Sequence, residues 1–367
     1  MSTPTQDADC SAALLEQVRT ALAANTPILI RGGGTKAFYG RSIQASVLDT
    51  RSHRGIVSHE PTELVLTARA GTPLAELEAV LDESGQMLAF EPPHFGVNKA
   101  AGEAAETGSE ATVGGMVAVG LSGPRRPWVG AVRDFVLGCR LISGHGKPLR
   151  FGGEVMKNVA GYDVSRLMTG SLGCLGVLTE VSLKVLPKPR SSLTLRLEMD
   201  AETALLRFAQ WGQLPLPITA ACHDGEALML RLEGGEGSVK AAHASLGGEE
   251  AEPAFWRALR DHALDFFADP APLWRVSVAN DSRPALPPGR QLIDWGGAQR
   301  WLKTDAEAAA VRSAASAAGG HASCFTPGVC ASPLHPLSEV LMRYHLQLKA
   351  QLDPQRIFNP GRMYAEL

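Results

Sequence analysis

The chain reads as an α+β protein built around more than one core. Three observations predict this. Its 367 residues exceed what one ordinary hydrophobic core covers. Short β-rich runs alternate with stretches at helical spacing along the whole length. From Ser192 onward the strands follow one another in an antiparallel pattern with helices interspersed, and the linker Pro187 to Arg190 precedes that shift.

Taken in order, Ser11 to Ala24 is a helix with Ser11 as N-cap and Ala12, Leu15, Val18 and Leu22 near one face. Ile28 to Ile30 is a strand, Ala45 to Leu48 the next apolar run, and Glu63 to Ala68 a further strand. Leu74 to Ser84 turns Leu74, Leu77 and Leu81 inward as a helix, with Thr72 as its N-cap and Gly85 as its stop. Residues 97–110, VNKAAGEAAETGSE, are small, polar and acidic without an apolar period, and read as an exposed mobile loop. Val136 to Ser143 and Leu178 to Leu186 complete the strands of the first half. In the second half, strands are expected at 193–199, 218–224, 227–233, 274–278, 290–295 and 299–303. Helices are expected at 203–210, 238–245, near 255–267 and at 306–318.

Composition excludes several function classes. A net charge of -3 and no long basic run argue against a nucleic-acid surface. The polar, acidic start MSTPTQDADCSAALLEQ lacks the basic and apolar parts of a signal peptide, and no stretch approaches a membrane span, so a cytoplasmic location is expected. The six cysteines, Cys10, Cys139, Cys174, Cys222, Cys324 and Cys330, form no C-x-x-C or cluster spacing. They read as buried thiols, and an iron–sulfur relay has no place in this chain.

Glycine-rich segments carry the chemistry. RGGGTKAFYG, residues 31–40, follows an apolar run, but Lys36 stands in the wrong order for a nucleoside-triphosphate P-loop. A dinucleotide fingerprint forced onto Gly32, Gly34 and Ala37 lacks its crossover helix before Ala45, and a parallel crossover needs about a dozen residues. A second segment, residues 111–138, holds Gly114, Gly115, Gly120, Gly123, Gly130 and Gly138; a third, residues 157–187, holds Gly170, Gly173 and Gly176 before a β-rich run. Loops of this kind at intervals suit a ligand held extended between two subdomains, with backbone amides around an anion.

These three segments, in this order and with IFNPGRMY near the end, resemble flavoproteins of the vanillyl-alcohol oxidase type. The stretches EPPHFG, GPRRPW, GGEVMKNVAGYD, RLEGGEGSVKAA and QLIDWGGA extend the resemblance, over essentially the whole chain, to the E-type subunits of bacterial glycolate oxidases. The resemblance implies a two-subdomain PCMH-type FAD-binding domain over 1–190, an α+β cap domain on the substrate side over 191–345, and a C-terminal segment, 346–367, returning to the FAD-binding domain. It implies FAD as cofactor. The FAD would be non-covalent, since Gly32 to Thr35 lacks the histidine that some relatives use for attachment.

Residue by residue, the resemblance places FAD contacts at Arg31, Gly32, Gly33, Gly34, Thr35 and Lys36, at Val113, Gly114, Gly115, Gly120 and Gly123, and at Gly161, Gly176 and Val177. Lys157 and Asn158 are either flavin contacts or a solvated lysine and a turn asparagine. Arg125 and Arg126, stiffened by Pro124 and Pro127, either receive a carboxylate or phosphate or form a docking surface. His94 is either a structural histidine at the flavin edge or a base, and Asp134 anchors the second loop.

Two departures stand out. Met116 and Gly120 occupy places where many relatives carry asparagine. Relatives that themselves oxidise 2-hydroxy acids carry H-x-G-D-G-N-x-H, whereas residues 319–335 read GGHASCFTPGVCASPLH, with no Asp or Asn between His321 and His335, so no metal site is expected. The implied function is a flavin-carrying accessory subunit of a glycolate oxidase complex that oxidises glycolate to glyoxylate. A sister FAD-containing subunit would take the substrate hydride and an iron–sulfur subunit would pass electrons on, with the complex peripheral at the inner face of the plasma membrane. The alternatives are a stand-alone FAD-dependent 2-hydroxy-acid dehydrogenase and a flavin-free scaffold.

Overall fold

The structure, a computed structural model, describes residues 7–96, 110–154 and 162–367. The loop expected at 97–110 therefore lies outside the described residues except for Glu110, and Lys157, Asn158 and Gly161 lie outside them too. Contacts divide the chain into two compact units. The first comprises 1–121, 131–187 and 336–367, the second 122–130 and 188–335. The chain thus returns to the first unit at Pro336, ahead of the expected 346, because the helix Glu339–Leu352 belongs to it whole.

In the first unit the helix Ser11–Ala24 has Cys10, not Ser11, as its N-cap residue, and the Asp9 carboxylate accepts the Ser11 amide at 2.9 Å. Its buried face is Leu14, Val18 and Ala21, one position round from the expected stripe, and Leu15 and Leu22 pack at the edge. This face meets Ile28, Leu48, Ile142, Val177, Ile357 and Phe358 in one apolar cluster. Ile28–Arg31 and Ser46–Asp49 pair in parallel through residues 32–45, which contain no helix. The crossover helix of a dinucleotide fingerprint is absent here, as expected from the sequence.

A five-stranded antiparallel sheet runs in the order Ile56–Glu60, Val65–Arg69, Val177–Lys184, Val136–Ile142, Pro148–Gly152. The helix Leu74–Glu83 buries Leu74, Leu77 and Leu81 as expected, and Gly85 follows it at φ +63°. Its N-cap is Pro73; the Thr72 hydroxyl instead accepts the Gly55 amide at 2.9 Å and donates to the Gly55 carbonyl at 3.1 Å. The glycine-rich stretch after Ala111 folds as a helix, Val113–Val119, where Thr112 Oγ1 accepts the Gly115 amide at 3.3 Å and Gly120 ends it at φ +69°.

The second unit carries an eight-stranded antiparallel sheet in the order Glu249–Glu250, Ser191–Leu197, Leu228–Gly234, Ile218–His223, Arg290–Asp294, Gln299–Lys303, Leu273–Ser277, His321–Cys324. Helices Ala201–Trp211 and Glu236–Leu246 supply Ala204, Val239 and Ala242 to a core with Leu195, Leu230 and Leu232. Helix Ala308–Ala317 packs Val311 and Ala315 on Trp274, Val276 and Leu302. The helical stretch expected near 255–267 is two pieces, Ala254–Arg260 and Asp265–Ala268, because His262 takes a left-handed φ of +53° between them. Among the described residues no helix is long and apolar enough to cross a membrane.

Candidate flavin site

The first unit contains a cavity of about 160 Å³ that opens to solvent. It is lined by Arg31 to Ala37 of the first glycine turn, by Thr112, Gly114, Gly115 and Ala118 of the second segment, and by Ser171, Leu172, Gly173 and Gly176 of the third. Asn359 and Arg362 close it from the C-terminal segment. Three segments that are far apart in sequence therefore meet around one space.

The first turn is shaped by contact with the second segment. A Cβ on Gly32 would stand 2.3 Å from Thr112 Oγ1, and one on Gly33 only 1.5 Å from the Glu110 carbonyl oxygen. The backbones approach so closely that no side chain fits between them. Gly34 is required differently, by its φ of +73°. The amides of Gly32, Gly34 and Thr35 donate no hydrogen bond to the described residues, which leaves donors on the cavity wall for an anionic ligand. Lys36, almost fully buried, donates to Thr35 Oγ1 at 3.2 Å and to the His94 carbonyl at 3.5 Å.

The remaining expected contacts divide. Gly114, Gly115 and Gly176 line the cavity with Arg31 to Lys36. Val113 and Val177 are fully buried and do not line it; Val177 packs on Leu14 and Val18, while its neighbours Gly176 and Leu178 face the cavity. Gly120 is a helix terminator outside the lining. Gly123 belongs to the second unit, where its carbonyl accepts the Trp295 indole N–H at 3.1 Å.

Sequence reasoning missed Asn359 and Arg362 as wall residues, although IFNPGRMY was the signal that held them. Asn359 Oδ1 accepts the Ile30 amide at 2.8 Å and its Nδ2 donates to the Leu172 carbonyl at 2.7 Å, which ties the first turn to the third. Arg362 donates to the carbonyls of Ala37, Tyr39 and Arg41 at 2.8 to 2.9 Å, fixing the chain just after the glycine turn. Asp134 Oδ2 accepts the Ala131 amide at 2.8 Å, the anchoring role expected of it.

The candidate catalytic side chains are already engaged. Arg125 Nη2 lies 2.6 Å from Glu233 Oε2, both buried, and Arg231 Nε stands 3.3 Å from the same oxygen. The Arg126 guanidinium lies 4.5 Å over the Trp295 ring. So Arg125 receives a carboxylate from its own chain, and the GPRRPW segment joins the second unit through these contacts. His94 Nε2 is 3.1 Å from the Glu78 carboxylate. His335 Nδ1 accepts the Ala322 amide at 3.2 Å, and the His321 ring lies 6.2 Å away, centroid to centroid. Burial, and then nearby arginines, hold both imidazoles below the ordinary histidine pKa.

A family model described as FAD binding domain matches residues 7–152. Glycolate oxidase subunit GlcE of Escherichia coli (strain K12) is 58% identical over 362 residues, 99% of each chain. The chain belongs to the GlcE family. This GlcE-family chain is also 31% identical over 171 residues to glycolate oxidase subunit GlcD of Bacillus subtilis (strain 168), covering 46% of the chain and 34% of that protein. It is 31% identical over 176 residues to the D-lactate dehydrogenase of Archaeoglobus fulgidus, 46% of the chain and 35% of that protein. The solved structure of alkyldihydroxyacetonephosphate synthase superposes with a TM-score of 0.65 at 17% identity, covering 95% of this chain and 75% of that one. That likeness concerns the fold, which in the GlcE family is therefore α+β with a PCMH-type FAD-binding domain, and its cofactor is FAD.

Proposed function

We propose that this chain holds FAD non-covalently in the first-unit cavity and serves as a flavin relay or accessory subunit of a glycolate oxidase complex. The carrying observation is the convergence of the three glycine segments on one wall with unpaired amides at Gly32, Gly34 and Thr35 among the described residues. When bound, FAD supplies a two-electron acceptor. Gly32, Gly34 and Thr35 would donate to its pyrophosphate, with Lys36 adding positive charge beside them. Asn359 and Arg362 hold the wall in shape, and Leu29, Ile30 and Leu178 exclude water from it.

Oxidation of glycolate to glyoxylate is assigned to the complex. The relative's name, subunit GlcE, supports a multisubunit assembly; in this reading a sister FAD-containing subunit takes the hydride and an iron–sulfur subunit would carry the electrons on. Two observations favour the accessory role over a stand-alone dehydrogenase. A substrate carboxylate would have to displace Glu233 from Arg125, and a base at His94 would have to leave Glu78. The complex is placed in the cytoplasm, meeting the membrane only peripherally. Anaerobic addition of glycolate tests the division of labour. The flavin of the purified chain should stay oxidised, and should bleach once the sister flavoprotein subunit is added. Bleaching of the isolated chain by glycolate, abolished by His94→Ala, would establish the stand-alone dehydrogenase instead.

A further inference from the structure

Cys324 ends the edge strand of the eight-stranded sheet, and the turn of CFTPGVC, with Gly328 at φ +76°, brings Cys330 back to it. Cys330 packs against the apolar cluster that contains Cys324. Cys324 is fully buried there with Trp274, Val276, Leu302 and Val311, whereas Cys330 stays partly exposed. Each thiol also meets a carbonyl two residues on, Cys324 that of Thr326 and Cys330 that of Ser332, both at 3.4 Å. Arg312 Nη2 lies 4.0 Å from Cys330 Sγ and is itself held by the Leu334 carbonyl at 3.2 Å. The other four cysteines have no such companion sulfur among the contacts of the described residues.

We infer that Cys324 and Cys330 form a redox-active dithiol that hydrogen peroxide converts to a disulfide. The roles follow from position. Cys330 is the accessible sulfur and has a guanidinium beside it, so it attacks the peroxide. The O–O bond breaks and an S–O bond forms; Cys330 becomes a sulfenic acid, and its former proton leaves with the other oxygen as water. Cys324 then displaces the sulfenic hydroxyl, the S–S bond forms, and a second water leaves with the Cys324 proton. Two thiols and one peroxide give one disulfide and two waters, the thiols losing the two electrons that the peroxide gains. Burial pushes the Cys324 thiol up to about 12, which keeps it protonated and leaves the attack on peroxide to Cys330; its own attack on the sulfenic acid requires that proton to leave as the S–S bond forms. Since Pro327 and Gly328 already fold the turn, closing the ring orders little additional chain.

The experiment uses the full-length purified protein with its flavin. No Lys or Arg lies between Arg312 and Arg343, so trypsin leaves both cysteines in the peptide 313–343. The protein is treated with equimolar hydrogen peroxide, quenched in denaturant with N-ethylmaleimide, digested and weighed. Labelling of this peptide should fall from two maleimides to none, at a mass two hydrogens below the free dithiol, and dithiothreitol should restore both labels. In Cys324→Ser, Cys330 should instead stop at the sulfenic acid, trapped by dimedone. Persistence of two free thiols in the wild type, or sulfinic acid at Cys330 without the disulfide, overturns the assignment irrespective of how the variant folds.

Discussion

Gly33 and Gly34 stand side by side yet are glycines for different physical reasons. At Gly33 the obstacle is the Glu110 carbonyl, 1.5 Å from where a Cβ would sit; at Gly34 it is the backbone, held at φ +73° in open space. Gly33→Ala should therefore pry the first turn from the second segment and release FAD. Gly34→Ala should cost about 1–2 kcal/mol of strain and keep most of the flavin. Flavin released by acid, read beside the thermal midpoint of each variant, checks the pair; equal loss in both would contradict the distinction. The sequence made the triplet conspicuous, but it held no sign that Glu110 is the neighbour. The same holds for Arg125 and Glu233. GPRRPW and RLEGGEG each stand out when read along the chain, and only folding shows that they meet. Glu233→Gln would leave the guanidiniums of Arg125 and Arg231 buried around a neutral amide, at a cost of about 3–5 kcal/mol, measurable in urea unfolding of the second unit.

Outside the edge strands Ile56–Glu60, Pro148–Gly152, Glu249–Glu250 and His321–Cys324, which were not expected from the sequence, most strands and helices were legible because apolar periodicity and turn residues agree there, as in Leu74–Glu83 and Gln299–Lys303. The C-terminal helix Glu339–Leu352 was not. Val340, Leu341 and Tyr344 are exposed, while its fully buried residue is Lys349, so its pattern inverts the usual rule. Lys349 Nζ pairs with Asp353 at 2.8 Å and donates to the carbonyls of Cys174 and Phe358 at 2.7 Å; Asp353 accepts the amides of Ile357 and Phe358. This buried pair fixes the segment that carries Asn359 to the cavity wall. Lys349→Met should cost about 3–5 kcal/mol by stranding the Asp353 charge. Hydrogen exchange should then quicken at the Ile357, Phe358 and Asn359 amides before the rest of the first unit; unchanged protection there would contradict the clamp.

For the whole molecule, the division into two units was legible from length and from the composition shift near Pro187. The excursion of 122–130 into the second unit was not, since it rests on contacts with Glu233 and Trp295 distant in sequence. Stability of the chain should depend on pH through two neutral histidines, the enclosed His53 and the half-buried His262. Burial lowers His53, which is fully enclosed, and pulls His262 down to about 3. Their folded pKa values lie below the unfolded value near 6.5, so the unfolded chain binds more protons between the two. Stability is then fully present above pH 6.5 and is lost as pH falls below it, for His262 down to about pH 3. Urea midpoints should be level from pH 8 to 7 and decline from pH 6.5 downward, with a shallower decline in His262→Phe.

Occupancy of the first-unit cavity by FAD can be read directly from flavin content. Ala118 lines that cavity from the helix Val113–Val119, where a larger side chain is compatible with the helix and fills the space. Flavin released by acid from the purified chain should be equimolar FAD in the wild type and nearly absent in Ala118→Phe, with the thermal midpoint of the second unit unchanged. Full FAD occupancy in a folded Ala118→Phe chain would contradict the assignment of the site.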